Sequence, residues 1–408
     1  MPSTLPEGDP VPVDGSLPDQ AYVGSAQRTL SVYVHVPFCA TRCGYCDFNT
    51  YTAGELGSSA SPESWFQAAA AEIDMAAKVL RAHGDSRAVS TVFVGGGTPS
   101  LMGAERLGAL LGRIDSTLGL AAGAEVTTEA NPESTDEPLL AGLRAAGYNR
   151  LSLGMQSTDA GVLRVLERAH TPGRPLQVVQ WARQAGFDHV NLDLIYGTPG
   201  ETDLQFTASL DAAVGSGVDH VSAYSLIVEP GTRMARQVRT GRLPMPAEDV
   251  LADRYLIADR VLTTAGLGWY EVSNWAADEA ARCRHNLAYW RGGDWWGIGP
   301  GAHSHVGGVR WWNVKHPHAY STALADGRSP GHAREVLGDD ARRTEDILLR
   351  LRLVDGLAVA QLTSGGVAAA EAAAAEGLLE PSPLTSGSAV LTLRGRLLAD
   401  GIAIRLLD

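Results

Sequence analysis

The chain has 408 residues, of which 45% are hydrophobic, and its formal net charge is −13. This length suggests two or three domains with a sizeable core, and an acidic surface repels nucleic acid and anionic membranes. We therefore expect a small-molecule or protein partner and no nucleic acid. The sequence has no run of about 18 apolar residues that could form an integral membrane segment.

The N-terminal segment, residues 1–27, is rich in Pro, Gly, Ser and Asp and has neither the basic start nor the apolar stretch of a signal peptide. Its composition predicts a disordered tail. Three of the four cysteines lie within eight residues of one another, which is not the pattern of a secreted disulfide scaffold. The expected location is the cytoplasm.

Short β-rich runs alternate with helical stretches over residues 28–240. The first run, Leu30 to Val36, alternates apolar and polar side chains, as a half-buried strand does. Five more runs follow at 91–94, 125–129, 150–154, 190–195 and 220–226, separated by helical segments such as 62–80 and 174–185. Strands that alternate with helices predict βα units and a parallel sheet. Six units are too few for a complete eight-stranded barrel and fit either an open barrel or a doubly wound sheet.

The composition changes after about residue 240. Seven of the nine tryptophans lie between Trp269 and Trp312, so we expect a Trp- and His-rich extension over residues 241–335. Residues 336–408 predict a small terminal domain, in which helical segments end in a short hairpin. That arrangement resembles a winged helix.

The main chemical signal is a cysteine cluster directly after the first predicted strand. Cys39, Cys43 and Cys46 have the spacing C-x3-C-x2-C. Three thiolates on one loop can bind three irons of a [4Fe–4S] cubane and leave the fourth iron open to an external ligand. The amine and carboxylate of S-adenosylmethionine (SAM) can chelate that iron, and the cluster can pass an electron to the sulfonium. A zinc site with His35 as fourth ligand is an alternative, and a disulfide is another.

Two further features complete the pattern: Tyr45 precedes the last cysteine, and Gly95-Gly96-Gly97-Thr98-Pro99 follows the second predicted strand. With them the chain resembles the radical SAM superfamily, in the branch of oxygen-independent coproporphyrinogen III oxidases, and is most similar to the HemW-type haem chaperones. The likeness runs from about Leu30 almost to the C-terminus. It implies an α/β fold, a partial (β/α)6 radical SAM barrel over residues 28–240 with a C-terminal extension and a small winged-helix-like α+β domain. It also implies a [4Fe–4S] cluster and SAM.

The resemblance also assigns SAM-binding residues near the ends of the predicted strands, where ligands of parallel sheets bind. Gly96, Gly97 and Thr98 would meet the amino group of SAM, since glycines allow a ligand close to the backbone; a tight βα turn is the alternative. The other SAM contacts that it implies are Tyr33, Glu129, Gln156, Arg168 and Asp193. Each of these alone could instead cap a helix or form an ion pair. His35, on the same strand face as Tyr33, could be a pocket or a core histidine.

The Trp-rich extension contains the run His285 to Trp290, which has the pattern H-N-x-x-Y-W. This run resembles a motif that is linked to haem binding in the HemW-like group. Haem needs an axial ligand such as His, Cys or Tyr and an apolar wall. His285 is the candidate ligand, with Cys283 and Tyr289 close by. Packing of these residues in a core is the alternative.

Two functions compete for this sequence. The first is a haem chaperone that binds haem, a cluster and SAM and delivers haem to an acceptor protein. The second is an oxidase that converts two propionates of coproporphyrinogen III to vinyl groups, and a related radical SAM methyltransferase is a third possibility. The oxidases carry a further cysteine two positions after the third, where this chain has Phe48. Phe48 and the H-N-x-x-Y-W pattern together favour the chaperone.

Overall fold

The computed structural model describes residues 6–57 and 60–407. Its strands are β1 Leu30–Val36, β2 Val89–Gly96, β3 Leu120–Ala130, β4 Arg150–Gln156, β5 His189–Tyr196, β6 His220–Ser225, β7 Gly268–Glu271, β8 Asn274–Ala276, β9 Asp294–Ile298, β10 His303–Val306, β11 Val309–Asn313, β12 Gly331–Val336, β13 Leu357–Ala358 and β14 Ser388–Ala389.

Its α-helices are α1 Ala53–Leu56, α2 Pro62–Ala82, α3 Gly103–Leu118, α4 Glu137–Ala145, α5 Ala160–Val165, α6 Arg174–Gln184, α7 Asp203–Gly215, α8 Arg233–Arg239, α9 Glu248–Thr264, α10 Arg284–Trp290, α11 Pro317–Ala325, α12 Asp339–Arg350, α13 Ser364–Ala375, α14 Pro381–Thr385, α15 Leu393–Leu397 and α16 Ala399–Arg405. Short 3-10 turns occur between several of them.

The central sheet confirms the predicted α/β fold. Strands β1 to β6 are parallel and lie in sequential order, each hydrogen-bonded to the next. A doubly wound sheet would reverse its order at a switch point, so the sequential order is that of an open barrel. Valines and leucines on the outward face are buried against the helices, whereas polar side chains such as Ser152 and Asn191 point inward. The inner face is therefore free to form a site.

The extension expected over residues 241–335 supplies both edges of the same sheet. On one side β9 pairs in parallel with β1, and β10, β11 and β12 continue it in antiparallel fashion. On the other side β8 and β7 follow β6. Because an uncovered edge strand leaves its N–H and C=O groups unpaired, the extension satisfies both edges of the six-stranded core.

The N-terminal segment differs from the disordered tail that its composition predicts. Asp9 exchanges backbone hydrogen bonds of 2.7 and 2.8 Å with Arg334 in β12, and Tyr22 donates to the carbonyl of Val79 in α2 over 3.0 Å. Leu17 and Ala21 are buried in the main core. These two apolar side chains and the free edge of β12 order a stretch that is otherwise polar; residues 1–5 lie outside the described residues.

The C-terminal segment forms its own small core. Helices α12 to α16 surround a cluster of buried residues that includes Ile347, Leu379 and Ile402, and β13 pairs with β14 in an antiparallel ribbon. The start predicted for this domain, residue 336, is the last residue of β12 and belongs to the main sheet. The winged-helix-like arrangement stays a prediction. Within the described ranges, no helix is long and apolar enough to cross a bilayer.

Candidate functional site

The candidate site lies at the carboxyl ends of the parallel strands, on the inner face of the barrel. Tyr33 on β1 aligns with Phe93 on β2, Glu129 on β3 with Ser152 on β4, and Asp193 lies on β5. Side chains alternate across a strand, so these residues all project into the barrel. The cysteine loop follows β1 at the same end.

The three clustered cysteines are free and half-buried on a loop that neighbouring elements tether. The backbone N–H of Cys39 donates to the carbonyl of Tyr51 over 3.0 Å, and that of Gly44 donates to the carbonyl of Leu166 over 3.1 Å. Burial raises the pKa of the Cys39 thiol and raises that of Cys46 to about 11. Ligands that bind as thiolates must therefore lose their protons to the solvent when a metal enters.

Two polar side chains point at the cysteine sulfurs. The Thr98 hydroxyl donates to Cys39 Sγ over 3.8 Å, and Arg168 Nη1 donates to Cys43 Sγ over 3.5 Å. Such hydrogen-bond donors stabilise the thiolate form of the cysteines and tune the reduction potential of a cluster that the cysteines hold.

The zinc alternative does not fit this loop. Across residues 6–57 and 60–407, no three His, Cys, Asp or Glu side chains converge as ligands of one metal ion. His35 is already engaged at both ring nitrogens, with the Tyr33 hydroxyl at 3.1 Å from Nδ1 and the Asn49 carbonyl at 2.9 Å from Nε2. A cubane, by contrast, needs its three thiolates on three separate irons.

The glycine run passes directly against the cysteine loop. A Cβ on Gly97 would lie 2.4 Å from the Phe38 carbonyl oxygen and 3.0 Å from Cys39 Sγ, which leaves no room for a side chain. Gly96 has a φ of 107° and donates its N–H to Glu129 over 3.0 Å. The run is therefore more than a tight turn, because it joins the cysteine loop to the carboxylates of the barrel.

Two buried carboxyls define the electrostatics of the site. Burial, and then the neighbouring charge of Asp193, raises the pKa of Glu129 to about 8, and burial also raises the pKa of Asp193. Asp193 accepts from Ser152 over 3.0 Å and from Asn191 over 2.7 Å. Arg168 supplies the positive charge that acts on both carboxyls. A cationic ligand would stabilise the charged form of both groups.

Gly154 also lies among the candidate site residues, although no sequence motif singles it out. Arg168 Nη2 donates to its carbonyl over 3.1 Å, and a Cβ there would lie 2.8 Å from both Arg168 Nη2 and Gln156 Nε2. Gln156 itself has a φ of 64°, a left-handed conformation that costs a residue with a side chain about 1 kcal/mol. Such strain is typical of ligand sites. The isolated glycine within a predicted strand was the one feature of the sequence that could have indicated a close approach at this position.

The structure thus brings all the predicted SAM residues to one end of the barrel, but it places His285 at the other. His285 is 2% exposed, and its ring nitrogens lie 2.7 Å from the Thr91 hydroxyl and 2.8 Å from the Tyr289 hydroxyl. Burial lowers its pKa to about 3. The expectation of His285 as an axial haem ligand does not agree with this geometry, because neither nitrogen is free.

The comparisons with known proteins identify the family of the chain. The model of the Radical SAM superfamily matches residues 33–213, which include the three cysteines and the strands β2 to β5. The chain is 55% identical to the heme chaperone HemW of Mycobacterium tuberculosis, over 93% of this chain and 95% of that protein. The chain belongs to the HemW-type family of the radical SAM superfamily.

Two other similarities are consistent with that membership. The Bacillus subtilis heme chaperone HemW is 33% identical over 80% of this chain and 84% of that protein. The structure of Escherichia coli coproporphyrinogen III oxidase (HemN), a radical SAM enzyme, superposes with a TM-score of 0.80 at 24% identity, over 98% of this chain and 96% of that one. The fold is therefore the radical SAM fold, and membership of the family implies a [4Fe–4S] cluster and SAM.

Proposed function

We propose that this protein is a haem chaperone, which binds haem and delivers it to an acceptor protein while it holds a [4Fe–4S] cluster and SAM. The observation that carries the proposal is the 55% identity, over nearly the whole of both chains, to a protein named as a heme chaperone. Cluster thiolates need a reducing compartment, so we place the activity in the cytoplasm.

Cys39, Cys43 and Cys46 would hold the cluster. The fit rests on their common loop, on the donors from Thr98 and Arg168 to two of the sulfurs, and on the close packing of Gly97 against Cys39. When bound, the cluster supplies one electron, which SAM can accept. The residues of the chain itself fix the loop and direct hydrogen bonds at its sulfurs.

SAM would lie on the inner face of the barrel beside this loop. Its amino group suits the carboxylates of Glu129 and Asp193, because burial raises the pKa of both groups and a cation beside them would stabilise their charged forms. Its carboxylate suits Arg168, whose Nε is buried and has no hydrogen-bond partner. The other residues proposed to bind SAM are Tyr33, Gly96, Gly97, Thr98 and Gln156.

The position of Phe48 supports the chaperone over the oxidase. Its side chain is 55% exposed just beyond Cys46, where the oxidases of the family resemblance carry a further cysteine. The fold alone does not distinguish the two functions, because the oxidase from Escherichia coli shares it at only 24% identity.

The test uses the full-length protein, purified anaerobically with its cluster reconstituted. Haem is titrated while the Soret band is followed, and the loaded protein is then mixed with an apo b-type haemoprotein. We expect saturation near one haem per chain and transfer to the acceptor. Coproporphyrinogen III turnover is assayed on the same sample with SAM and reductant, and with each omitted. SAM-dependent formation of protoporphyrinogen without haem binding would show that the protein is an oxidase.

A further inference from the structure

Helix α10, which carries the H-N-x-x-Y-W segment 285–290, closes the amino-terminal end of the barrel. Its first turn is capped by a carboxylate from another element: Glu125 on β3 accepts the backbone N–H of Arg284 at 3.0 Å and that of His285 at 2.9 Å. A carboxylate at a helix N-terminus satisfies N–H groups that lack partners within the helix. The helix is thereby fixed inside the barrel.

The ring of His285 begins an aromatic column that ends in the candidate SAM site. It stacks on Phe93 with 5.2 Å between ring centroids and 29° between planes, and Phe93 stacks on Tyr33 at 6.3 Å and 27°. Tyr33 is one of the proposed SAM contacts. Offset aromatic pairs at these separations attract each other, so the position of each ring depends on the next.

Phe93 also touches the glycine run of the site. A Cβ on Gly95 would lie 2.9 Å from Phe93 Cε1 and 3.1 Å from the Glu129 carboxyl, so the ring and the carboxyl both pack against this glycine. Phe93 therefore lies between His285, on the amino-terminal side, and the Glu129 and Tyr33 side chains, on the carboxyl-terminal side. A shift of Phe93 would move the floor of the site.

The remaining residues of the segment hold the helix in place. Asn286 donates to Glu271 on β7 over 2.9 Å, and the Tyr289 ring packs edge-on against His285 at 4.9 Å and against Trp295 at 4.7 Å. Trp290 packs with a buried cluster that includes Tyr270. Each of the four residues that the pattern specifies thus has a packing or hydrogen-bonding partner in the barrel or its extension.

We propose that the H-N-x-x-Y-W segment forms the floor of the SAM site, and that His285 and Tyr289 are positioning residues for Phe93 and, through it, for Tyr33. This inference rests on the proposed SAM site. It gives the motif a role in SAM binding, whereas neither ring nitrogen of His285 is free to bind haem iron.

The experiment measures the SAM dissociation constant of the reconstituted full-length protein by equilibrium dialysis, together with the change that SAM causes in the EPR spectrum of the reduced cluster. His285→Ala removes the ring from the column, and we expect SAM to bind about tenfold more weakly. His285→Phe keeps a ring against Phe93 and should retain most of the affinity. His83→Ala is the matched control, because that histidine stacks on Tyr22 and makes no contact with the column.

Haem affinity is measured on the same variants by Soret titration and should not change. Loss of haem binding in His285→Ala with unchanged SAM affinity would overturn the inference and assign the motif to haem. Failure of the wild type to bind SAM would instead remove the proposed function. If His285→Ala does not fold, Phe93→Leu and Tyr289→Phe replace it. Unchanged SAM affinity in Phe93→Leu would also overturn the inference.

Discussion

Asn49 fastens the end of the cysteine loop to the extension, and its replacement is the sharpest test of how that loop is held. Its side-chain amide donates to the carbonyls of Pro300 at 3.0 Å and Lys315 at 2.8 Å, and its Oδ1 accepts from the Tyr51 hydroxyl at 3.1 Å. Its own carbonyl lies 2.9 Å from His35 Nε2. The cysteines lie between these two anchors, His35 and Asn49.

Asn49→Ala removes three hydrogen bonds, each worth roughly 0.5 to 1.5 kcal/mol. Because the bond to Lys315 is exposed to solvent, we expect a loss of about 2 kcal/mol in the free energy of unfolding rather than the full sum. The loop would also lose its fixed end, so the three thiols would spend less time in the arrangement that binds iron. The variant should therefore take up less iron than the wild type.

The assay is iron and acid-labile sulfide per chain after anaerobic reconstitution, with urea unfolding of the apo-protein alongside. Asn49→Asp keeps the acceptor for Tyr51 but replaces the amide nitrogen, which donates both other bonds, with an oxygen that faces the two carbonyls, so it should be as damaging as Asn49→Ala. Tyr51→Phe removes the hydroxyl that donates to Asn49 at 3.1 Å and to the Lys315 carbonyl at 3.4 Å. It should be the mildest change, because both hydrogen bonds from the Asn49 amide nitrogen remain. An Asn49→Ala variant with the iron content and urea midpoint of the wild type would refute the reasoning.

Three further predictions follow from burial and close contact. Gly97→Ala should abolish cluster incorporation, because its Cβ would lie 2.4 Å from the Phe38 carbonyl, whereas Gly112→Ala, with nothing within 4 Å, should leave iron content unchanged. Burial raises the pKa of Glu72 to about 7, so the folded state holds a proton that the unfolded state has lost. The free energy of unfolding of the wild type, relative to Glu72→Gln, should fall by about 3 kcal/mol between pH 4.5 and pH 8 in urea titrations, and a rise over that window would contradict it. Leu379→Ala, in the separate C-terminal core, should cost about 2 to 5 kcal/mol in calorimetric unfolding while SAM affinity stays constant, and a matching loss of SAM affinity would show that the two cores are coupled.

The sequence by itself determined the six parallel strands and the position of the cysteine loop at the carboxyl end of the first. Alternating side chains in β1, the C-x3-C-x2-C spacing and the glycine run are local patterns, and parallel strands in sequential order bring their carboxyl ends together. The resemblance assigned Tyr33, Glu129 and Asp193 to the site, and in the structure these residues project from neighbouring strands into the barrel. These patterns are readable in the sequence because each depends only on residues that are close together along the chain.

Only the tertiary structure decided how the two ends of the barrel are supported. Asn49 finds its partner Lys315 at a separation of 266 residues, and Glu125 caps a helix 159 residues away. No local pattern in the sequence reports such pairs. The same holds for the ordered N-terminal segment, which depends on the edge of β12. His285 illustrates the reason most clearly. The motif itself places Tyr289 one helical turn away, beside one ring nitrogen, but only the packing of α10 against β2 brings Thr91 to the other.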